Sequence, residues 1–303
     1  ATPTASLPTT VATTAALTST APATAAVPLT MTVVTATAPP SATRVSYGGV
    51  AFQLDPRLAA SAQGFTVPAV SPAELPLFAA APAHVAFVFG TDDLRADLTA
   101  LADAGVPKLR IYPVADLRAL APIIARSVDD LAQLLATRPA SITGAIPVFP
   151  VINAAQVFRV HTRYLDFADG SGVRFVTHYA QDASPVVAKT IFYIFQGLSA
   201  DGEWYISAIW PLDAAILPAT TEAALGGQSY DAFVEDFDRY LRQLVSDLDA
   251  LQPAAFAPDL TSLDAWVESL TISSSLAITP TVELTPSLPS AAAAEADLSA
   301  ARG

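Results

Sequence analysis

The chain has 303 residues, no cysteine and a formal net charge of −13. Without cysteine there are no disulfides, no zinc–thiolate or iron–sulfur ligation and no thiol nucleophile. The acidity opposes contact with nucleic acid and with anionic lipid, so no nucleic-acid partner is expected.

Residues 1–43 hold 14 Thr, 12 Ala, 6 Pro and 3 Ser, and no charged residue. Such a stretch has no packable face and is expected to be a disordered stalk. Residues 273–303 have a similar composition and are expected to form a disordered tail. The stretch between, 44–272, is long enough for one well-buried core. A Thr/Ala/Pro stalk suits an exported protein held near a membrane; the other reading is a linker inside a longer polypeptide. No run of 18 apolar residues occurs, because Lys189 and Asp213 interrupt the best stretches, so no transmembrane span is expected.

Residues 44–55 read as a strand bent at Gly48-Gly49, and 56–82 as a long Pro/Ala-rich irregular segment. Residues 84–90 alternate as a strand, with Val85, Phe87 and Phe89 on one face. Thr91 can cap a helix carrying Asp92 and Asp93 in its first turn, then Leu94, Leu98 and Leu101, ending at Gly105. A strand at 108–114 follows. Ser127 with Asp130 resembles a capping box before a helix that buries Leu131, Leu134 and Leu135 and closes at Pro139.

Two hairpins come next. Residues 156–181 alternate about a turn at Asp169-Gly170. Residues 189–212 form a second hairpin whose strands are apolar on both faces, which places them centrally in a sheet covered on both sides. The spacing of Tyr230, Phe233, Phe237, Leu241, Leu244, Leu248 and Leu251 predicts one helix over 230–251, capped by Ser229, with Glu235–Arg239 and Asp238–Arg242 pairs on its flanks. A last helix after Pro258 turns Leu260, Leu263, Val267 and Leu270 inward. The fold class is α+β: a single domain with a central, mainly antiparallel sheet covered by helices.

Several stretches resemble an uncharacterised group of exported, often lipoprotein-type, bacterial proteins. They are VSYGGVAFQLDPRLA (45–59), the 152–181 hairpin, IFYIFQGLSADGEWYISAIWPL (191–212) and LTSLDAWVESLTI (260–272). The resemblance implies a location rather than a mechanism. The early YGGVAF strand, the antiparallel centre and the closing DAWVESLTI are also similar to the PsbP-like α/β/α sandwich, which implies binding or assembly.

No phosphate-binding glycine loop, dinucleotide fingerprint or zinc-protease helix is present, so no cofactor, metal or catalytic residue is assigned. Ser199 in GLSAD misses a nucleophile elbow and reads as a turn serine. Asp166 with Asp169, and Asp201 with Glu203, lie near hairpin loops and read as turn residues. The oxygen-rich DFADGSG (166–172) lacks calcium-loop spacing.

One constellation is less ordinary. With Asp169-Gly170 as the turn, Tyr164 faces Phe175 and Thr162 faces Thr177, and on the other face His161 stands opposite His178. Arg159, Arg163 and Arg174 flank that pair. The resulting cationic strip can bind a small anion, hold a metal through its imidazoles, or be solvated or packed against the protein's own acidic helix. His84, alone on its strand, reads as structural or exposed.

Three functions follow. The first is a non-catalytic extracytoplasmic binding or assembly module of the bacterial cell envelope, with a small anionic ligand or an envelope protein as partner. The second is an envelope hydrolase working through carboxylates, and the third a structural subunit of a surface assembly. Limited proteolysis of the full chain is expected to leave a stable fragment near 44–272; equal protection along the whole chain would contradict the two-tail organisation.

Overall fold

Strands that are apolar on both faces need a layer on each side. In the computed structural model, which describes residues 41–73, 76–90, 101, 103–273, 276 and 278, the second hairpin has that position. Its strands β8 (Ile191–Ser199) and β9 (Trp204–Ala214) occupy the middle of an eight-stranded antiparallel sheet. On one side of them lie β5 (Lys108–Pro113), β4 (His84–Gly90) and the edge strand β3 (Ser61–Val67). On the other lie β7 (Gly170–Ala180) and the edge strand β6 (Ala155–Phe167), while β10 (Phe256–Ala257) pairs with the end of β9. A small antiparallel sheet of β1 (Thr43–Tyr47), β2 (Val50–Leu54) and β11 (Thr271–Ile272) stands apart. The described residues therefore form one α+β domain.

The first face of the large sheet is closed by the small sheet and by the helices α5 (Phe237–Asp249) and α6 (Leu260–Glu268). Phe52, Phe89, Trp210 and Trp266 meet there with ring centroids 4.9–5.8 Å apart. All four are buried. Each such ring pair adds about 0.5–1.5 kcal/mol beyond its burial, so this cluster fixes β2 and α6 over β4 and β9.

The second face carries α1 (Val114–Leu120) and α2 (Pro122–Thr137), whose Leu117, Ile124, Val128 and Leu131 share a core with Phe175, Ile194 and Tyr205. A polar anchor holds the following loop on the same face. Gln196 Oε1 accepts from Phe149 N (3.1 Å) and Tyr205 OH (2.6 Å), and Gln196 Nε2 donates to Ser207 Oγ (3.0 Å). All of these partners are buried, so the network is satisfied where an unpaired amide would be costly.

Several sequence expectations need correction. Gly48-Gly49 is a tight turn between β1 and β2 rather than a bend in one strand; both glycines have positive φ, 56° and 86°, as a two-residue hairpin loop demands. The irregular 56–82 segment contains β3, whose Gly64 looks like a breaker. A Cβ there would fall 2.5 Å from the Tyr47 Cβ and 2.7 Å from the Phe87 ring, so glycine permits close packing. Helix α2 starts with Pro122 at its first position, not at Ser127, whose hydroxyl donates to Ile123 O inside the helix. Leu94 and Leu98 of the helix expected after Thr91 lie outside the described residues; Leu101 is helical and buried. The stalk expected at 1–43 lies outside them as far as residue 40. The tail expected from residue 273 begins too early: Leu276 is buried in the first core and Ser273 N donates to Gly49 O (2.8 Å).

After the short helix α3 (Thr221–Leu225), the helix expected over 230–251 is interrupted at Asp236 and becomes α4 (Tyr230–Glu235) and α5. Arg239 pairs with Asp236 rather than with Glu235 (Nε–Oδ1 2.8 Å). Only Phe233 and Leu248 are fully buried, and Leu241, Leu244 and Val245 rest partly covered on the first core. Phe237 is half-buried, so its loss is less costly than removal of a core ring. The helix lies against edge strand β6, not over the centre of the sheet.

His84 sits inside, its ring 4.4 Å from that of Tyr112 and its Nδ1 donating to Pro82 O (2.8 Å). Burial, aided by the charge of Arg110 and partly opposed by the Pro82 bond, lowers its pKa from 6.5 to about 4. The folded state thus resists a proton that the unfolded chain accepts. Stability should fall as pH drops from 6.5 to about 4 and level off below, by ~3 kcal/mol in all. Comparison of melting temperature against pH for the wild type and His84→Phe checks this; identical slopes would refute it.

Candidate functional site

The alternation of β6 is interrupted at two register shifts, and at the second it changes sides. Phe158 and Val160, at even positions, and Leu165 and Phe167, at odd positions, all enter the first core. An unbroken strand cannot do this. A bulge between Val160 and Arg163 makes the switch, with His161 in the left-handed region at φ 52°. The C-terminal end of α5 holds the bulge: His161 N donates to Asp249 Oδ1 (3.2 Å), and its Nε2 donates to Leu248 O (2.8 Å).

The expected histidine pair is therefore not formed. The hairpin turn is Ala168-Asp169, and Arg163 pairs with Arg174, Arg159 with Thr177, and Phe158 with His178. Gly170 and Gly172 are strand residues. A Cβ on Gly170 would meet Leu198 O at 2.3 Å, and one on Gly172 the Phe195 ring at 2.3 Å. His178 is buried; its Nδ1 donates to Thr190 O (2.6 Å) and its ring stacks on Phe158 at 6.4 Å.

The arginines of the strip part company as well. Arg159 donates to Gly144 O and Ile142 O, both at 2.7 Å. Arg174 is buried on the first face and grips Asp264 of α6 through Nε (2.9 Å) and Nη2 (3.0 Å), while its Nη1 donates to His161 O. Tyr193 OH donates to the same carboxylate at 3.1 Å, and Arg163 reaches it at 3.3 Å. Burial first, and then the charge of Asp264, push the Tyr193 phenol far above its ordinary range. Arg159, His161 and Arg163 line one groove together with Arg138 and Asp249; Arg174 and His178 are not part of it. His161, Arg163 and Arg174 thus pack against α5 and α6, whereas Arg159 and His178 bond main-chain oxygens of neighbouring loops.

Three of the four carboxylates near the hairpins also have structural partners. Asp166 pairs with Arg138, whose hydrogen bond lowers the carboxyl pKa. Asp169 Oδ2 accepts from Ile272 N (2.8 Å) and so ties β11 to the hairpin turn. Asp201 accepts from Ser199 Oγ (2.5 Å) and Glu203 N (3.0 Å), and Ser199 Oγ accepts from Trp204 N (2.9 Å), which makes Ser199 part of the turn. Among the described residues no cluster of three or more His, Asp or Glu side chains could hold a metal ion. No helix there is long and apolar enough to cross a membrane.

A different site lies on the second face. Between Ala104 and the loop after Phe149 the described residues form a pocket of about 440 Å³ over the sheet. Ile194 and Phe192 of β8, Ile209 of β9 and Tyr179 of β7 line it from the sheet, and Val151, Ile152 and Ala154 from the loop. Lys108 and Arg110 of β5 stand at one side. Lys108 is buried, and its ammonium donates to Leu101 O (3.1 Å) and Asp103 O; Arg110 Nη2 donates to Leu101 O (3.0 Å). Among the described residues no carboxylate pairs with either cation. Burial, with the neighbouring guanidinium of Arg110, lowers the Lys108 pKa to about 8, while Asp103 works the other way. Burial also raises Tyr179 to about 12.

Sequence reasoning missed this site, although KLRIY carries a signal: two cations two residues apart share one strand face. No known protein family, curated protein or solved structure matches the chain.

The Asp264 clamp is open to direct measurement. Asp264→Asn leaves Arg174 buried without its counter-charge and should cost about 3–5 kcal/mol of unfolding free energy. Arg163→Gln, at the exposed end of the network, should cost under about 1 kcal/mol. Equal effects in denaturant titrations would show that the buried pair is not the clamp.

Proposed function

We propose that this chain is a non-catalytic binding module that works outside the cytoplasm, at the bacterial cell envelope. The observation that carries the binding role is the second-face pocket. It is concave and mostly apolar, falls within the ~300–1,000 Å³ of small-molecule sites, and has a few polar groups converging on it, one with a shifted pKa. The Gln196 network anchors one wall, so the pocket is supported before any ligand arrives.

The envelope setting is supported by the Thr/Ala/Pro composition of residues 1–43, by the net charge of −13, and by the resemblance to exported proteins. The PsbP-like resemblance points to binding or assembly rather than catalysis. The hydrolase reading is less well supported, because the fold itself uses three of the four carboxylates named near the loops. Asp166 holds Arg138, Asp169 holds β11, and Asp201 closes its own turn.

A neutral solvatochromic dye such as Nile red tests the pocket. Its emission should shift to the blue with saturation at one dye per chain. Ala154→Trp, which fills the pocket from a half-buried wall position, should abolish the saturable phase without lowering the melting temperature. Saturable binding that is unchanged in the variant, or none in the wild type, would overturn the assignment.

A further inference from the structure

Lys108 and Arg110 make the two sides of the pocket chemically unlike. They alternate with Leu109 and Ile111, which are buried in the first core, so both cations project from the second face. Strand β5 is internal to the sheet, with β4 on one side and β9 on the other. Its neighbours opposite these positions are Val88, Ala86, Ile209 and Ser207, none of them acidic. Two positive charges therefore share one covered sheet face, and their bonded partners among the described residues are main-chain oxygens of Leu101 and Asp103.

Main-chain oxygens satisfy donors but do not neutralise charge. An ammonium has three donors and a guanidinium five, and these bonds use two and one of them. The Asp103 carboxylate favours the charged form of Lys108 from a distance, but it accepts from Gly105 N (2.7 Å) and forms no ion pair with either cation. Beyond the cations the lining is Phe192, Ile194, Ile209 and Ile152, which offer apolar contact and no charge. A wholly apolar ligand would cover the cations without pairing them, which is unfavourable. A cationic ligand would be repelled. An apolar body with one oxyanion at its end meets both requirements, because Arg and Lys donors form their strongest hydrogen bonds to such a group.

We infer that the pocket takes an amphipathic anion, its apolar body on Phe192, Ile194, Ile209 and Ile152 and its carboxylate or phosphate head at Lys108 and Arg110. The inference rests on the pocket being the ligand site proposed above, and it adds the class of ligand.

Calorimetric titration of the full chain with decanoate, decyl phosphate, decanol and decylamine tests it. Either anion should bind about ten-fold or more tighter than decanol, and decylamine should bind more weakly than decanol. The tighter of the two anions assigns the head as carboxylate or phosphate. Lys108→Gln and Arg110→Gln should each remove most of the anion preference while leaving decanol affinity within about two-fold. Lys108→Met serves as a folding control: with the desolvated ammonium gone, its melting temperature should equal or exceed the wild type's, so lost anion binding is not lost folding. Equal binding of decanol and the anions overturns this inference and leaves the pocket assignment standing. Failure of every amphiphile and of the neutral dye overturns both.

Discussion

A carboxylate under a packed helix needs compensating donors, and Asp264 is the one acidic side chain buried among the described residues. Its requirements organise the first face. Arg174 of β7 supplies two donors, Tyr193 of β8 a third, and Arg163 of β6 adds charge from the solvent side. One residue of α6 thereby fixes the helix against three adjacent strands. Coulomb attraction alone would not cover the desolvation of both ions; the hydrogen bonds around the carboxylate make the arrangement tolerable. The aromatic cluster about Trp266 supplies the remaining contact, and it also brings Phe52, and hence the small sheet, onto the same surface.

The clamp explains the bulge in β6. To reach Asp264, Arg163 must project from the first face, as do Leu165 and Phe167. Phe158 and Val160 must also reach that face, yet they have the opposite parity. The extra residue at His161 reconciles the two halves, and the end of α5 satisfies the main chain that the bulge exposes. The edge strand is thus bent, charged and partly covered by a helix, all of which blunt an edge against pairing with other chains.

The two faces are closed by different means. The first is sealed by rings and by a paired charge. The second keeps Lys108 and Arg110 at the side of a pocket. A buried cation whose bonded partners among the described residues are main-chain oxygens lowers stability, and proteins accept local costs of that kind at binding sites. The cations of the 159–178 strip are divided: Arg174 is paired with Asp264, while Arg159 bonds main-chain oxygens and lines a groove. On β5, Lys108 and Arg110 also bond main-chain oxygens and line the second-face pocket.

The sequence by itself determined most of the strands, the antiparallel centre and the presence of a layer on each side, because strands such as IFYIF are apolar at odd and even positions alike. It also determined the inward stripe of α6, where Leu260, Leu263 and Val267 are buried, with Leu270 buried just beyond the helix. These properties depend on neighbours three or four residues away, or on simple alternation. Tertiary structure alone decided the register of β6 with β7. A two-residue turn can sit at Ala168-Asp169 or at Asp169-Gly170, and the folded hairpin takes the first, which sets Phe167 opposite Gly170, where a Cβ would meet the Phe167 ring at 2.5 Å. It also decided that Lys108 and Arg110 face inward. Two cations on alternate positions look like the wet side of a strand, and only the loop after Phe149, anchored 47 residues away on Gln196, turns that side into a pocket. Contacts between distant segments carry no local period, so no pattern within either segment records them.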